Sequence, residues 1–130
     1  MDRVFLDANV LFSAAYRPNA GIAALWKLQE IERITSGYAL EEARTNLRGA
    51  DRLSRLDRLS RGVRIVAHPV VRPLPEGIVL PGKDVPILLA ALDAGATHLL
   101  TGDLGDFGPL LGRLVGPLRV LTPGRYLRGR

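Results

Sequence analysis

The sequence contains no cysteine, which removes disulfides, thiolate-zinc sites and cysteine nucleophiles. Any bound metal must be held by oxygen or imidazole. Histidine is scarce as well, and His68 and His98 do not stand at ligand spacing, so both read as structural or surface residues. No apolar run approaches the roughly 20 residues of a membrane span. The opening MDRVFLDANV is acidic at its second residue and lacks the apolar stretch of a signal peptide. A cytoplasmic protein without membrane contact is the expectation. The first βα turn carries neither a GxGxxG nor a P-loop, so no motif supports a dinucleotide or nucleoside-triphosphate enzyme.

Lysine is nearly missing too: of 18 basic residues only Lys27 and Lys83 are lysine, and the rest are arginine, for a formal net charge of +5. An arginine excess suits a polyanionic partner, because guanidinium forks onto phosphate. The same Arg, Ala and Leu richness also follows from genomic base composition. At 130 residues, with 47% hydrophobic and 24% charged residues, the chain is expected to form one globular domain over 1–130.

Val4-Phe5-Leu6 reads as a buried strand ending at Asp7, followed by a short helix through Ala15 that breaks at Arg17-Pro18-Asn19. Ile22, Leu25, Trp26 and Leu28 recur at helical spacing towards Ile31, and Ile34-Thr35 reads as a second short strand. Trp26 belongs to a core or an interface on this reading. Ser36 can cap a helix through Leu40, Ala43 and Leu47, with Glu41 and Glu42 in its early turns. A further helix covers Ala50 to Arg61, and Val63 to Val66 is a strand.

The stretch from His68 to Gly82 holds four prolines and reads as an extended connector. Pro86 belongs in a first helical turn, which puts Asp84 at a helix start, and Gly95 ends that helix. Strands at His98–Thr101 and Leu118–Leu121 precede a short tail. Alternating strands and helices predict a parallel α/β sheet, whose sites form at the carboxyl ends of strands.

Asp7 and Asp103 each follow a strand, so a parallel sheet brings them to one edge despite a separation of 96 positions. Asp84 and Glu42, near helix starts, can face that edge. Taken singly, each has an ordinary explanation: a turn or helix cap for the aspartates, a solvated helix face for Glu42. Taken together they form a carboxylate pocket whose mutual repulsion one or two divalent cations would relieve. Oxygen ligands with room for water suit Mg²⁺ or Mn²⁺. Such ions activate water and stabilise the leaving oxygen of a phosphodiester, with no serine or histidine nucleophile required.

The segments FLDANVLFSA, ITSGYALEEARTNL, GKDVPILLAALDAGATHLLTGDLGDF and RVLTP resemble, in order and spacing, a PIN domain of the VapC-like toxin type over residues 3–123. The resemblance implies a three-layer α/β/α sandwich with a mostly parallel sheet, and metal-dependent endoribonuclease activity leaving 5′-phosphate and 3′-hydroxyl ends. It also implies a small antitoxin partner and a homodimer. By matching, Asp7, Glu42, Asp84 and Asp103 are the catalytic and metal-binding acids, Asp106 an accessory acid, and Asn9 and Ser13 the polar positions after the first Asp. An inactive PIN fold that binds RNA or a protein is the competing reading.

Glu41 and Glu42 point about 100° apart on a helix, and register from Ser36 favours Glu42. Arg44, Arg48, Arg52 and Arg55 step along the following helical region as a candidate phosphate-binding stripe, with Arg44 and Arg48 nearest the acids. The other reading of the stripe is a solvated face paired with Asp51 and Asp57. A haloacid-dehalogenase-type phosphotransferase would need a second Asp where this chain has Asn9.

Overall fold

The computed structural model describes residues 1–130. Six strands lie in the order β3-β2-β1-β4-β6-β5: β1 (Asp2–Leu6), β2 (Ile31–Ser36), β3 (Arg64–Val66), β4 (His98–Leu100), β5 (Leu114–Val115) and β6 (Leu118–Leu121). All neighbours are parallel except β5, which pairs antiparallel with β6 at one edge. The helices are α1 (Ala8–Ala15), α2 (Gly37–Asn46), α3 (Ala50–Ser60), α4 (Val85–Asp93) and α5 (Pro123–Arg128). The result is an α/β/α sandwich.

Strand β1 explains the layering. Val4, Phe5 and Leu6 are all fully buried, as a central parallel strand covered on both faces requires. Phe5 joins Ile34, Leu99 and Val120 in a core closed by Leu88 and Ala91 of α4. Val4 and Leu6 point the other way, with Leu100 and Leu121, into a core closed by α1, α2, α3 and α5 through Leu11, Ala43, Leu56 and Tyr126. The alternation is the period-two pleat of a strand, and truncating Phe5 to alanine would cost about 3–5 kcal/mol.

From β1 the chain moves outward to β2 and β3, then crosses back through α4 to β4 on the other side of β1. The strand order therefore reverses between β1 and β4, and their carboxyl ends flank the crevice where α/β sheets place their sites. Asp7 and Asp103 follow those two strands.

Several elements differ from expectation. The segment Gly21–Lys27 is a 3-10 helix rather than an α-helix, and Ile31 opens β2. A spacing of three satisfies a 3-10 helix as well as an α-helix. The backbone turns extended at Leu28, where Arg33 takes the carbonyls of Leu25 and Leu28 at 3.0 Å each. The tail after β6 is a helix, capped by Thr122, whose Oγ1 accepts from Arg125 N at 3.2 Å. Strand β5 has only two residues and pairs through the turn at Gly116, too short to show a period. The Ser36 cap is present, with Ala39 N donating to Oγ at 3.1 Å.

Candidate metal centre

Asp7 ends β1 and starts α1, and its carboxylate is held from three sides. Oδ1 accepts from Ala8 N at 2.7 Å. Oδ2 accepts from Thr101 Oγ1 at 2.9 Å and from Asn9 Nδ2 at 3.3 Å. Only 4% of the residue is exposed, and burial pushes its pKa up; the Thr101 and Ala8 bonds oppose the rise, while the charges of Glu42 and Asp103 add to it.

Asp103 sits two residues beyond Thr101 in a turn that folds back on its side chain. Its Oδ1 accepts from Gly105 N at 3.1 Å and Asp106 N at 2.9 Å, while its own N–H donates to Thr101 Oγ1 at 3.1 Å. Oδ2 is left without a donor. The turn also carries the Asp106 carboxylate inward, where Lys83 Nζ lies 3.4 Å away.

Asp84 stands at the N-cap position of α4, yet its side chain makes no capping bond. Pro86 in the first turn has no N–H to offer. With 8% of the residue exposed, Asp84 Oδ2 is buried with no hydrogen-bond partner. Burial, followed by the hydrogen bond and charge of Asp106 and then Asp7, raises its pKa to about 7, with Lys83 opposing. The cap explanation that accounts for Asp7 thus fails for Asp84.

Ligand oxygens of Asp84, Asp103 and Asp106 lie within 4.8 Å of one another. Asp106, an accessory acid in the sequence reading, stands in this closest group, whereas Asp7 and Glu42 flank it. Glu42 is exposed and faces Asn9, Ser13 and Phe12 across a cleft of about 310 Å³. Glu41 points away, 3.9 Å from Arg44 Nε. Arg44 reaches Asp57 at 2.9 Å, and Arg48 donates to Thr45 O at 3.0 Å. The expected arginine stripe is split, because α2 ends at Asn46 and Gly49, at φ +96°, redirects the chain into α3.

Two residues with a part in the site were not singled out from sequence. Thr101 bridges Asp7 and Asp103, and its signal was a hydroxyl at a strand end just before the Gly-Asp pair. Tyr38 donates from its hydroxyl to Lys83 O at 2.8 Å, tying α2 to the segment before Asp84. Burial and the charges of Glu42, Asp84 and Asp7 raise its pKa. Nothing in the spacing of Tyr38 marked it.

A divalent cation fits these residues. The donors are all carboxylate oxygens, the preference of hard cations. An unpaired buried oxygen carries a desolvation penalty that coordination would remove, and crowded carboxylates lose their repulsion when a cation lies among them.

No protein-family model and no curated protein sequence matches the chain. Solved structures do. The chain is similar to VapBC2 from Rickettsia felis, bound to a DNA fragment from its promoter, with 14% identity, a TM-score of 0.65, and 92% of this chain and 98% of that one covered. FitAcB from Neisseria gonorrhoeae superposes with 18% identity and a TM-score of 0.59 over 93% of this chain and 98% of that one. VapC20 of Mycobacterium tuberculosis, a toxin that cleaves the sarcin-ricin loop, matches with 18% identity and a TM-score of 0.58 over 82% of this chain and 93% of that one. The chain has the PIN-domain fold of the VapC toxins.

Proposed function

We propose that this protein is a metal-dependent endoribonuclease and the toxin of a toxin–antitoxin pair. The observation that carries the reading is Asp84: a buried carboxylate with an unpaired oxygen, no capping role, and two further carboxylates within reach. In a buried structural aspartate both carboxylate oxygens would be hydrogen-bonded. The likeness to VapC toxins supports the choice of RNA as substrate, and the two-component names VapBC2 and FitAcB support a small partner protein.

Asp84, Asp103 and Asp106 would hold Mg²⁺ or Mn²⁺, with Asp7 and Glu42 completing the acidic wall directly or through water. When bound, the cation supplies a water ionised near neutral pH and positive charge against phosphodiester oxygens. The chain's own residues then set the geometry. Asn9 and Thr101 fix the Asp7 carboxylate, so its orientation does not have to be found during each turnover. Asn9 and Ser13 line the adjoining cleft beside Glu42 and offer hydrogen bonds to a sugar or phosphate. Arg48, exposed at the end of α2, is available to a more distant phosphate.

The test combines two readouts: thermal melting with and without millimolar Mn²⁺, and cleavage of single-stranded RNA with and without EDTA. A cation-dependent rise in melting temperature together with EDTA-sensitive cleavage is expected. Cleavage that persists in excess EDTA would sink the metal-dependent reading, and neither melting shift nor cleavage would favour a non-catalytic binding module.

A further inference from the structure

The folded chain regroups the arginines that follow Glu42. Arg44 turns to Asp57. Arg48, Arg52 and Arg55 instead meet Arg17, from the turn after α1, around a cleft of about 560 Å³. None of these four forms an ion pair, and Asp51 is the one acid in the lining. Four guanidiniums line the cleft against a single carboxylate, and an anion would reduce the repulsion left among them.

Two of the four are held rigidly. Arg52 Nε donates to Tyr16 O at 2.8 Å, and Arg55 Nε donates to Ala15 O at 3.0 Å. Both bonds land on the C-terminal carbonyls of α1, where positive charge is favourable. Arg17 makes no hydrogen bond within the protein, and Arg48 makes one, to the Thr45 carbonyl. The cleft thus combines fixed and free guanidiniums.

Along α1 this cleft adjoins, through shared lining residues, the cleft beside Glu42 and Asn9. The cleft between Asn9 and Glu42 shares Phe12 and Ser13 with a neighbouring hollow of about 450 Å³, and that hollow shares Tyr16 and Arg17 with the arginine cleft. The middle hollow is aromatic. The rings of Phe12 and Tyr16 stand 5.4 Å apart, and Arg52 lies 3.8 Å above the Tyr16 ring. From Asn9 to Arg17 the helix axis advances about 12 Å, a run of a few nucleotides.

We infer that the arginine cleft receives the backbone phosphates of a single-stranded RNA that runs along α1, over Phe12 and Tyr16, from the acid cluster. The inference rests on the ribonuclease reading and extends it by assigning the strand's path. A basic groove interleaved with aromatic faces is the general chemistry of single-strand binding, in which bases stack and guanidiniums hold phosphate. The order found here, with carboxylates, then aromatic rings, then arginines, sets the stacking surface between cleavage and anchoring.

The test is binding of a fluorescent single-stranded RNA of about eight nucleotides in EDTA, across a salt titration, to the full chain and to Arg17→Ala/Arg48→Ala. Both side chains are exposed, and circular dichroism checks the fold. Loss of two phosphate contacts should flatten the slope of log K against log salt by about 1.4, at about 0.7 per contact. Arg113→Ala/Arg128→Ala, which removes the same charge away from the cleft, should keep the wild-type slope. Arg17→Glu is the second variant and should also weaken binding.

Equal slopes for the cleft pair and the control pair would overturn the inference. So would weaker binding of a polyglutamate peptide with RNA binding unchanged, which would make the cleft a protein-docking surface. The two readings fail separately, because binding is read without metal. A flattened slope in a protein that cuts no RNA supports the cleft and defeats only the catalytic proposal, whereas an unchanged slope in a protein that does cut defeats only the strand path.

Discussion

Thr101 Oγ1 donates to Asp7 Oδ2 at 2.9 Å and accepts from Asp103 N at 3.1 Å, so one hydroxyl joins the carboxyl ends of β1 and β4 across the point where the strand order reverses. Thr101 is fully buried. Thr101→Val keeps the shape and removes both bonds together with the one from Asn9 Nδ2 at 3.4 Å, leaving Asp7 more easily protonated. The expected result is a loss of about 1–3 kcal/mol in stability and roughly 10–100-fold in Mn²⁺ affinity, read by denaturant unfolding and calorimetric titration. Wild-type affinity in Thr101→Val would show that Asp7 needs no such support.

Asp84→Asn separates a metal ligand from a structural residue. A buried carboxylate with an unpaired oxygen and acidic neighbours opposes folding when ionised, so metal-free Asp84→Asn should be at least as stable as wild type at pH 8. The Mn²⁺-induced rise in melting temperature and RNA cleavage should both be lost. Marked destabilisation without metal, with cleavage retained, would return Asp84 to a structural role.

The raised pKa of Asp84, about 7, sets a pH window. The unfolded chain ionises this group near its usual value of about 4, so the folded protein binds an extra proton between the two values. Metal-free stability contributed by this residue therefore falls as pH rises from about 4 to about 7, and is level above. Cation binding must displace that proton, so Mn²⁺ affinity should climb with pH up to about 7 and then flatten. An affinity flat from pH 5 to pH 8 would contradict this.

Glu42 faces the cleft beside Asn9, whereas Glu41 lies next to Arg44. Glu42→Gln should lower cleavage roughly 10–100-fold, with Glu41→Gln close to wild type. The opposite order would exchange their roles.

Tyr126 links the two ends of the chain away from the acids: its hydroxyl donates to Asp2 Oδ2 at 2.7 Å and accepts from Arg130 Nη1 at 2.8 Å. That bond, chiefly, holds the Asp2 pKa below the usual range. Tyr126→Phe should cost about 1 kcal/mol at neutral pH. Because the Asp2 pKa is lowered on folding, the contribution is full above about pH 4 and disappears as pH falls through the folded value. A difference from wild type that persists unchanged at pH 2 would assign the loss to packing instead.

Local chemistry determined much of this protein from sequence alone. An all-apolar Val4-Phe5-Leu6, a serine at a helix start and Pro86 inside a first turn mark β1, α2 and α4, because burial, capping and a missing N–H act within a few residues. The absence of cysteine and the placement of acids after strands and at helix starts pointed to oxygen ligation at the carboxyl edge of a parallel sheet. Spacing could not separate a 3-10 helix from an α-helix at Gly21–Lys27, nor reveal a two-residue edge strand.

Only the tertiary structure decided which carboxylates stand closest, that Thr101 and Tyr38 belong to the site, and that Arg17 rather than Arg44 joins Arg48, Arg52 and Arg55. The physical reason is common to all three. Sequence position specifies an element and a face, but side chains far apart in the chain meet through sheet order and helix docking. Whether Asp84 serves as a helix cap or leaves an oxygen unpaired beside Asp103 and Asp106 depends on those contacts.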